Sequence, residues 1–476
     1  MTSVDMLPDE VLLEIFDFCA HEKPLTKRQI EAWQSLVHVC RRWRSIVFGS
    51  PRRLSLQLCC TIRTPVREML DIWPALPLLI LDDNVRYYPV LSVDNIIAAL
   101  ERRDRVCQIL LGHEQSWSLQ DVLEALQEPF PELTELVLYS RSRETVPDSF
   151  LGGSAPRLRS IRLRHIRFPG LPKLLLSAPH LVEICLTNIP HAGYISPEVM
   201  VTVLSTMTSL GSLRLEFQSL KSRPSRESRH PPPRTHFSLP VLASFGFEGA
   251  WEYLEDLVAR IDAPLLNSLD MGFFELEEVV FDSLQFIQFI DRTPRLKAPD
   301  KAIIAFGDSE DEAAGVTLLS QTHGYAHLEL KILYSEDLQD SYVRQIFTSS
   351  FPPFSTLKDL YILMRQPLVP PSRFQSPWQD KLENMPWLEL LHVFTSVNNL
   401  YVSVEVAPHI ILSLHELVGG RTTEVLPVLQ NIFLEGLQPS GPVQEGIGKF
   451  ITTRQVAGFP ISVSGWHRLG GIIDGL

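Results

Sequence analysis

A short arrangement of apolar residues recurs along most of this chain. Each copy has an apolar residue, two other residues, a second apolar residue, one further residue and a third apolar residue. The copies are Leu76/Leu79/Leu81, Val106/Ile109/Leu111, Leu133/Leu136/Leu138, Leu158/Ile161/Leu163, Leu181/Ile184/Leu186, Leu210/Leu213/Leu215, Leu242/Phe245/Phe247, Leu266/Leu269/Met271, Leu357/Leu360/Ile362, Leu388/Leu391/Val393 and Leu429/Ile432/Leu434. The first eight begin 30, 27, 25, 23, 29, 32 and 24 residues apart. A repeat of this length is typical of a solenoid.

The copies predict strands, and the segments between them predict helices. The last two apolar residues of each copy alternate with another residue, as in a strand buried on one face. Helical spacing appears between copies at Leu119/Val122/Leu123/Leu126 and at Val199/Val203/Leu204. Strand and helix in turn fit a leucine-rich repeat, whose parallel strands line a concave face. The Asn that usually ends such a repeat is mostly missing, so we expect irregular repeats.

Three segments depart from the series. Residues 272–356 contain apolar runs that predict strands of the same sheet with shorter connections and unassigned register, at Ile303/Ile304/Phe306, Val316/Leu318 and Leu328/Leu330/Ile332. The basic, proline-rich residues 219–238 predict a mobile loop, and residues 308–312 predict an acidic turn. Residues 436–476 lack the repeat, so we expect them to form an irregular C-terminal cap.

The first fifty residues follow a helical pattern instead. Pro8 suits a first helical turn, and Asp9 and Glu10 add negative charge where the helix dipole favours it. Apolar residues at helical spacing predict three helices, at Leu7/Val11/Leu12/Ile15/Phe16/Cys19, Ile30/Trp33/Leu36/Val37/Cys40 and Trp43/Ile46/Val47. A segment this small cannot bury so many large side chains. We therefore expect the surplus apolar surface to bind a partner.

The same residues resemble the F-box, the module that docks on the Skp1 adaptor of cullin–RING ubiquitin ligases. The resemblance lies in Leu7-Pro8-Asp9-Glu10-Val11-Leu12-Leu13-Glu14-Ile15-Phe16 and Val39-Cys40-Arg41-Arg42-Trp43-Arg44. The loop at residues 21–28 is longer than the family's usual first connection. The resemblance implies an α/β protein with a three-helix F-box at residues 1–50. An irregular leucine-rich-repeat-like solenoid with a parallel sheet is expected at residues 51–435, and the cap at 436–476. Residues 251–257 and 423–437 also resemble segments of fungal F-box proteins with degenerate repeats.

The function implied by this resemblance is that of a substrate-recognition subunit of a Skp1–cullin–F-box ubiquitin ligase. Such a subunit joins a target held by the repeats to the ligase and catalyses nothing itself. The residues expected to form or support the Skp1-binding surface are Leu7, Pro8, Val11, Leu12, Ile15, Phe16, Val39, Cys40 and Trp43. The alternative is a leucine-rich-repeat scaffold that binds partners outside the ubiquitin ligase. Co-purification with Skp1 and cullin separates the two.

A target site is expected on the concave face, where alternate strand residues point. The middle copies place three arginines there, which suit a carboxylate or phosphate: Arg162, Arg164 and Arg214. The late copies place three aromatic residues there, of types enriched at interface hot spots: Tyr361, Phe394 and Phe433. We expect the target to bind the arginines, with the aromatic end as a second anchor if the C-terminal tail leaves it open.

Composition narrows the classes of function. The 476 residues are 45% hydrophobic and 21% charged, which is ordinary for a folded soluble protein. A formal net charge of −13 argues against general nucleic-acid affinity. No apolar run approaches a membrane span, and no secretory signal is apparent. We therefore expect an intracellular protein, cytoplasmic and/or nuclear.

Motifs for catalysis or metal binding are weak. The six cysteines, at positions 19, 40, 59, 60, 107 and 185, form no Cys-x-x-Cys pair, so free thiols are expected. His323 and His327 lie four residues apart without a third ligand, which favours a surface pair over a zinc site. Neither a glycine-rich phosphate loop nor a Gly-x-Ser-x-Gly elbow is present. We therefore expect no cofactor and no metal.

Overall fold

The computed structural model describes residues 7–21, 38–49, 56–63, 65–72, 75–81, 91–112, 119–140, 144–219, 222, 224, 236–273, 284–306, 315–320, 326–332, 356–364, 382–417, 421, 423–436 and 441–467. The chain divides into two compact units, Met1–Gln218 and Ser219–Leu476. The basic stretch 219–238 lies largely outside the described residues, and so does the acidic turn at 308–312. The second predicted helix, from Ile30, is described at residues 38–40 alone.

Among its described residues, the first unit begins with two helices in contact, α1 (Asp9–His21) and α2 (Arg41–Gly49). Phe16 packs against Trp43 with ring centroids 5.0 Å apart. Leu12, Phe16 and Val47 are also buried. Aromatic packing and apolar burial therefore hold the pair together.

A parallel sheet follows, with its strands in sequence order. The strands are β1 (Leu56–Cys59), β2 (Leu78–Leu81), β3 (Val106–Gly112), β4 (Glu135–Tyr139), β5 (Ser160–Arg164), β6 (Glu183–Ile189) and β7 (Ser212–Phe217). The connecting helices are α3 (Val66–Ile72), α4 (Val93–Leu100), α5 (Leu119–Ala125), α6 (Leu171–Leu176) and α7 (Pro197–Leu204). A short 3-10 segment, Phe150–Gly153, lies between β4 and β5 in place of an α-helix.

The apolar copies of this unit stack in register. Leu136 is paired with Ile161, Ile161 with Ile184, and Ile184 with Leu213. All four side chains are fully buried. The repeat predicted from the sequence is therefore a structural repeat, because each copy buries the same positions against its neighbours.

The second unit carries a sheet that is parallel except at one strand. Its elements are β8 (Phe237–Ser238), β9 (Ser244–Gly249), α8 (Trp251–Val258), β10 (Ile261–Asp262), β11 (Ser268–Phe273), α9 (Leu284–Asp291), β12 (Lys301–Phe306), β13 (Gly315–Ser320), β14 (Ala326–Ile332), β15 (Asp359–Met364), α10 (Trp387–His392), β16 (Asn399–Val402), α11 (Ala407–His415), β17 (Asn431–Glu435), α12 (Pro442–Val456) and β18 (Ser462–Trp466). The strand order in this unit is β9-β11-β14-β13-β12-β15-β16-β17-β18. Strands β8 and β10 form a separate pair.

The interruption predicted at residues 272–356 is an antiparallel insertion. Strand β13 pairs antiparallel with both β12 and β14. The outer two strands then join their neighbours in parallel, β14 with β11 and β12 with β15. The three strands predicted in this segment are confirmed, and they enter the sheet in reverse order of sequence.

One predicted strand is wrong. The copy Leu388/Leu391/Val393 lies at helix α10, in which Trp387, Leu390 and Leu391 are buried. The strand of this repeat comes later, at β16, where Val397/Leu400/Val402 has the same spacing. Two copies nine residues apart are too close to form the strands of successive repeats. The burial pattern shows that the first of them is a helix.

The sheet also continues into the segment predicted as a cap. Strand β18 pairs in parallel with β17 from Ser462 to Trp466. Helix α12 fills the connection between these two strands. Among the helices of the described residues, none combines the length and the apolar character needed to cross a membrane.

Candidate functional site

The helical pair exposes apolar side chains that a helix of a compact domain normally buries. Val11 and Ile15 are each 42% exposed, and Val39 is 60% exposed. Pro8 and Cys40 are exposed as well. We call these five residues the adaptor face. Such a set of exposed apolar residues is typical of a binding surface.

The remaining predicted Skp1-binding residues lie inside or at the margin of the pair. Leu12 and Phe16 are buried, whereas Leu7 and Trp43 are partly exposed. The division follows from helix geometry, because residues four apart share one side of α1. Leu12 and Phe16 occupy the inner side, and Val11 and Ile15 the outer side.

Arg42 ties the start of α1 to α2. Its Nη2 donates to Oδ1 of Asp9 and to the carbonyl oxygen of Leu7, both at 2.6 Å. Its Nε also donates to Oδ1 of Asp9, at 3.1 Å. The sequence motif contained both partners, but their contact depends on the crossing of two helices.

The sheet of the first unit has a face opposite its buried copies, and this face carries the predicted arginines. Arg162 in β5 donates through Nε and Nη2 to the two carboxylate oxygens of Glu183, at 2.9 and 2.8 Å. This hydrogen bonding raises the pKa of Arg162, so its guanidinium stays charged. Arg214 in β7 forms an ion pair with Glu216 of the same strand. The side chain of Arg164 is exposed and makes no hydrogen bond or ion pair to another described residue.

Arg162 and Arg214 lie in one row across the sheet, two strands apart. Arg162 is paired in register with Cys185, and Cys185 with Arg214. Tyr139 is paired with Arg164 in the next row. We call Tyr139, Arg162, Arg164 and Arg214 the arginine face.

The second unit carries a row of stacked aromatic rings on strands β15 to β17. Tyr361 stacks on Tyr401 with centroids 4.2 Å apart, and Tyr401 on Phe433 at 4.5 Å. Trp466 of β18 meets Tyr361 and Tyr401 edge-on, and its Nε1 donates to the carbonyl oxygen of Val402 at 3.3 Å. Burial raises the pKa of both tyrosines, so their hydroxyls stay protonated.

A polar row runs beside these rings. Nδ2 of Asn399 donates to Oδ1 of Asp359, and Nδ2 of Asn431 donates to Oδ1 of Asn399, each at 2.7 Å. Ser462 of β18 donates to Oδ1 of Asn431. The two rows therefore link β15 to β18 on one face of the sheet.

The prediction for the aromatic end is partly wrong. Phe394 follows helix α10 and is fully buried, so it does not reach the sheet face. Its predicted place is taken by Tyr401, which the spacing of Val397/Leu400/Val402 could have identified. The tail expected to cover the aromatics contributes Trp466, which leaves Tyr361 and Phe433 partly exposed.

The described cysteines are free thiols. Burial raises the pKa of Cys60 to about 12 and that of Cys107 to about 11. Burial also raises the pKa of Cys185, so its thiol between the arginines stays neutral. No group of three or more His, Cys, Asp or Glu in the described part of the chain is placed to hold a metal ion. His323 lies outside that part.

Comparison with known proteins begins at the N-terminus. Residues 4–57 match the F-box-like family. The chain therefore carries an F-box-like domain, followed by mostly parallel sheets built from strand-and-helix repeats, as in a leucine-rich repeat solenoid.

Similarity to a solved structure extends over most of the chain at low sequence identity. One solved structure similar to this chain is that of the leucine-rich repeat-containing protein LegL7 from Legionella pneumophila, with 14% identity and a TM-score of 0.27. That match covers 83% of this chain and 97% of the other. No curated protein matches the chain.

Proposed function

We propose that this chain is a substrate-recognition subunit of a Skp1–cullin–F-box ubiquitin ligase. The observation that carries the proposal is the adaptor face, which lies within the residues that match the F-box-like family. An exposed apolar surface on a small helical pair needs a partner, and Skp1 is the partner that F-box domains generally bind.

The proposed mechanism is proximity. The adaptor face binds Skp1, and through Skp1 the cullin, while the repeats hold a protein target. A target lysine then meets the ubiquitin-conjugating enzyme at high effective concentration. The chain itself forms and breaks no covalent bond in this proposal and uses no cofactor. We place its action in the cytoplasm or nucleus, where such ligases work.

Few residues are expected to dominate Skp1 binding. Full burial of a Val, Leu or Ile side chain contributes roughly 1.5–3 kcal/mol. Val11, Ile15 and Val39 have about half of their surface left to bury. Leu12 and Phe16 support the surface from inside, so their replacement would disrupt the helical pair as well as binding.

The test is therefore made on exposed residues. Val11→Asp with Ile15→Asp places two carboxylates in the adaptor face, and we expect it to abolish recovery of Skp1 and cullin in a pull-down from cells. Leu412→Asp with Val456→Asp is the matched control, because both residues are exposed apolar positions on other helices. Undiminished recovery of Skp1 by the first variant would contradict the proposal. Recovery of Skp1 without cullin by the wild type would favour a scaffold acting outside the ligase.

The target side of the proposal uses the sheet faces. Arg162, Arg164 and Arg214 offer guanidinium donors in the first unit, and Tyr361 and Phe433 offer aromatic edges in the second. Phe394 is excluded by its burial.

A further inference from the structure

The arginine face presents cations outward although acidic residues pair with it. The side chains of Arg162 and Arg214 are 40% and 50% exposed, whereas those of their partners Glu183 and Glu216 are 27% and 16% exposed. The carboxylates therefore lie lower, against the sheet, and the guanidinium groups lie above them. An approaching molecule meets the arginines first.

The ion pairs also fix the arginines in place. Glu183 takes two of the five N–H donors of Arg162 in a bidentate contact and leaves three. Glu183 itself is held by a hydrogen bond from Oγ of Ser160, at 3.0 Å. A guanidinium held in this way loses little side-chain freedom when it binds a further acceptor.

Arg164 adds a cation without a carboxylate partner in the described part of the chain. It lies two residues after Arg162 in β5, roughly 7 Å along the strand. Arg162 and Arg214 are two strands apart, or roughly 10 Å. Glutamates at alternate positions of an extended peptide are also roughly 7 Å apart, so two of them can meet Arg162 and Arg164 together.

We propose that the arginine face binds an extended acidic segment of a partner protein through its Asp or Glu carboxylates, with Arg164 as the anchor. The face carries little net positive charge, because Glu183 and Glu216 pair with two of its arginines and Glu135 lies near Arg162, and this favours singly charged carboxylates over doubly charged phosphates. Tyr139, exposed beside Arg164, offers an aromatic surface to the same segment. The inference rests on the proposed function only where it identifies this partner protein as the target of the ubiquitin ligase.

The test measures peptide binding to the purified full-length chain without Skp1. The probe is a labelled heptapeptide in which glutamate alternates with serine, and fluorescence anisotropy reports its binding. We expect the glutamate peptide to bind at least tenfold more tightly than the same peptide with glutamine, and its binding to weaken with added salt. A second comparison peptide carries phosphoserine in place of glutamate, and we expect it to bind no more tightly than the glutamate peptide.

Variants locate the site. Arg164→Gln should weaken binding of the glutamate peptide roughly tenfold or more, and Arg164→Lys should restore part of it because charge returns without bidentate geometry. Arg159→Gln is the control, since Arg159 is an exposed arginine just before the same strand. Equal affinity for glutamate and glutamine peptides, tighter binding of the phosphoserine peptide, or equal losses in the two Arg→Gln variants would overturn the inference. Skp1 recovery by Arg164→Gln, measured alongside, reports separately on the adaptor face.

Discussion

Single polar contacts position the apolar surfaces of this protein. The adaptor face depends on the angle between α1 and α2, which apolar packing at Phe16 and Trp43 fixes at one point. Arg42 supplies a second point at the start of α1, through Asp9 and the Leu7 carbonyl. Two separated contacts define a crossing angle, whereas one does not.

We therefore predict a positioning role for Arg42. Arg42→Gln should weaken Skp1 binding several-fold with little change in melting temperature, because an exposed ion pair contributes only about 0–1 kcal/mol to stability. The charge-reversed pair Arg42→Asp with Asp9→Arg should recover part of the affinity. A fall in melting temperature that accounts for the lost binding, without recovery in the reversed pair, would show that Arg42 has a structural role alone.

His327 gives the second unit a pH-dependent contact. Its Nε2 lies 3.0 Å from Oδ1 of Asp270 and 3.2 Å from Oγ of Ser268. The hydrogen bond to Asp270 raises the pKa of His327 above 6.5. A raised pKa means that the folded state binds the proton more tightly than the unfolded state.

The sign of the effect on stability follows. The contribution of His327 is fully present below pH 6.5 and is lost as the pH rises through the raised pKa. The melting-temperature difference between wild type and His327→Gln should therefore be larger at about pH 5.5 than at about pH 8.5. Asp270→Asn should remove most of this dependence. A difference that is independent of pH would contradict the contact.

At the scale of helices and strands, helix α12 is attached to the preceding repeat by a buried cation. Arg454 is fully buried, and its Nη2 donates to the carbonyl oxygens of Leu426, Pro427 and Leu429 at 3.3–3.5 Å. Its guanidinium also faces the rings of Phe450 and Phe459, at 6.0 and 5.7 Å. Burial lowers the pKa of Arg454, which shows that desolvation opposes these contacts.

We expect the contacts to outweigh the desolvation cost. Hydrogen bonds from a charged group contribute roughly 1.5–3 kcal/mol, and Arg454→Met removes the charged donor that three carbonyls share. The variant should expose residues 426–435 to faster amide hydrogen exchange, while strands β9 and β11 keep their protection. Unchanged exchange in residues 426–435 would mean that apolar packing alone holds α12.

Helices and strands were predictable from the sequence where buried residues recur at a regular spacing within one segment. Copies such as Leu136/Leu138 and Ile161/Leu163 alternate because one strand face meets the core, and the sequence records that alternation directly. Helix α10 was mistaken for a strand because Leu388, Leu391 and Val393 have the spacing of a strand copy, whereas the residues that it buries, Trp387, Leu390 and Leu391, have a helical spacing. The reversed order of β12, β13 and β14 depends on which strands pair, and strand pairing is not written in any single segment.

The candidate sites were less predictable from the sequence than the helices and strands, because contacts between strands also depend on how the strands pair. The motif around Leu7 and Trp43 marked the adaptor face, and strand alternation placed Arg162, Arg164 and Arg214 on one face. The bidentate contact of Arg162 with Glu183 joins residues 21 positions apart on neighbouring strands. Its prediction would require knowledge of the register in which these strands pair. Trp466 lies outside every copy of the repeat, and its packing on Tyr401 spans several strands.

At the scale of the whole molecule, the adaptor face and the arginine face belong to the same compact unit, Met1–Gln218. Strands β1 to β5 are separated by four inter-strand steps, or roughly 19 Å. A target on the arginine face would therefore be held at a fixed distance from the first strand of the sheet. The net charge of −13 belongs to the whole chain, whereas the arginines of the arginine face are local to β5 and β7.

Calorimetric titration of the purified full-length chain with purified Skp1 measures whether the exposed apolar face of the helical pair binds Skp1. We predict saturable binding of one Skp1 per chain with a negative heat-capacity change, because apolar surface is buried. Val11→Asp with Ile15→Asp should remove that binding, and Leu412→Asp with Val456→Asp should leave it intact. Absence of binding by the wild type, or equal binding by the two double variants, would contradict the account.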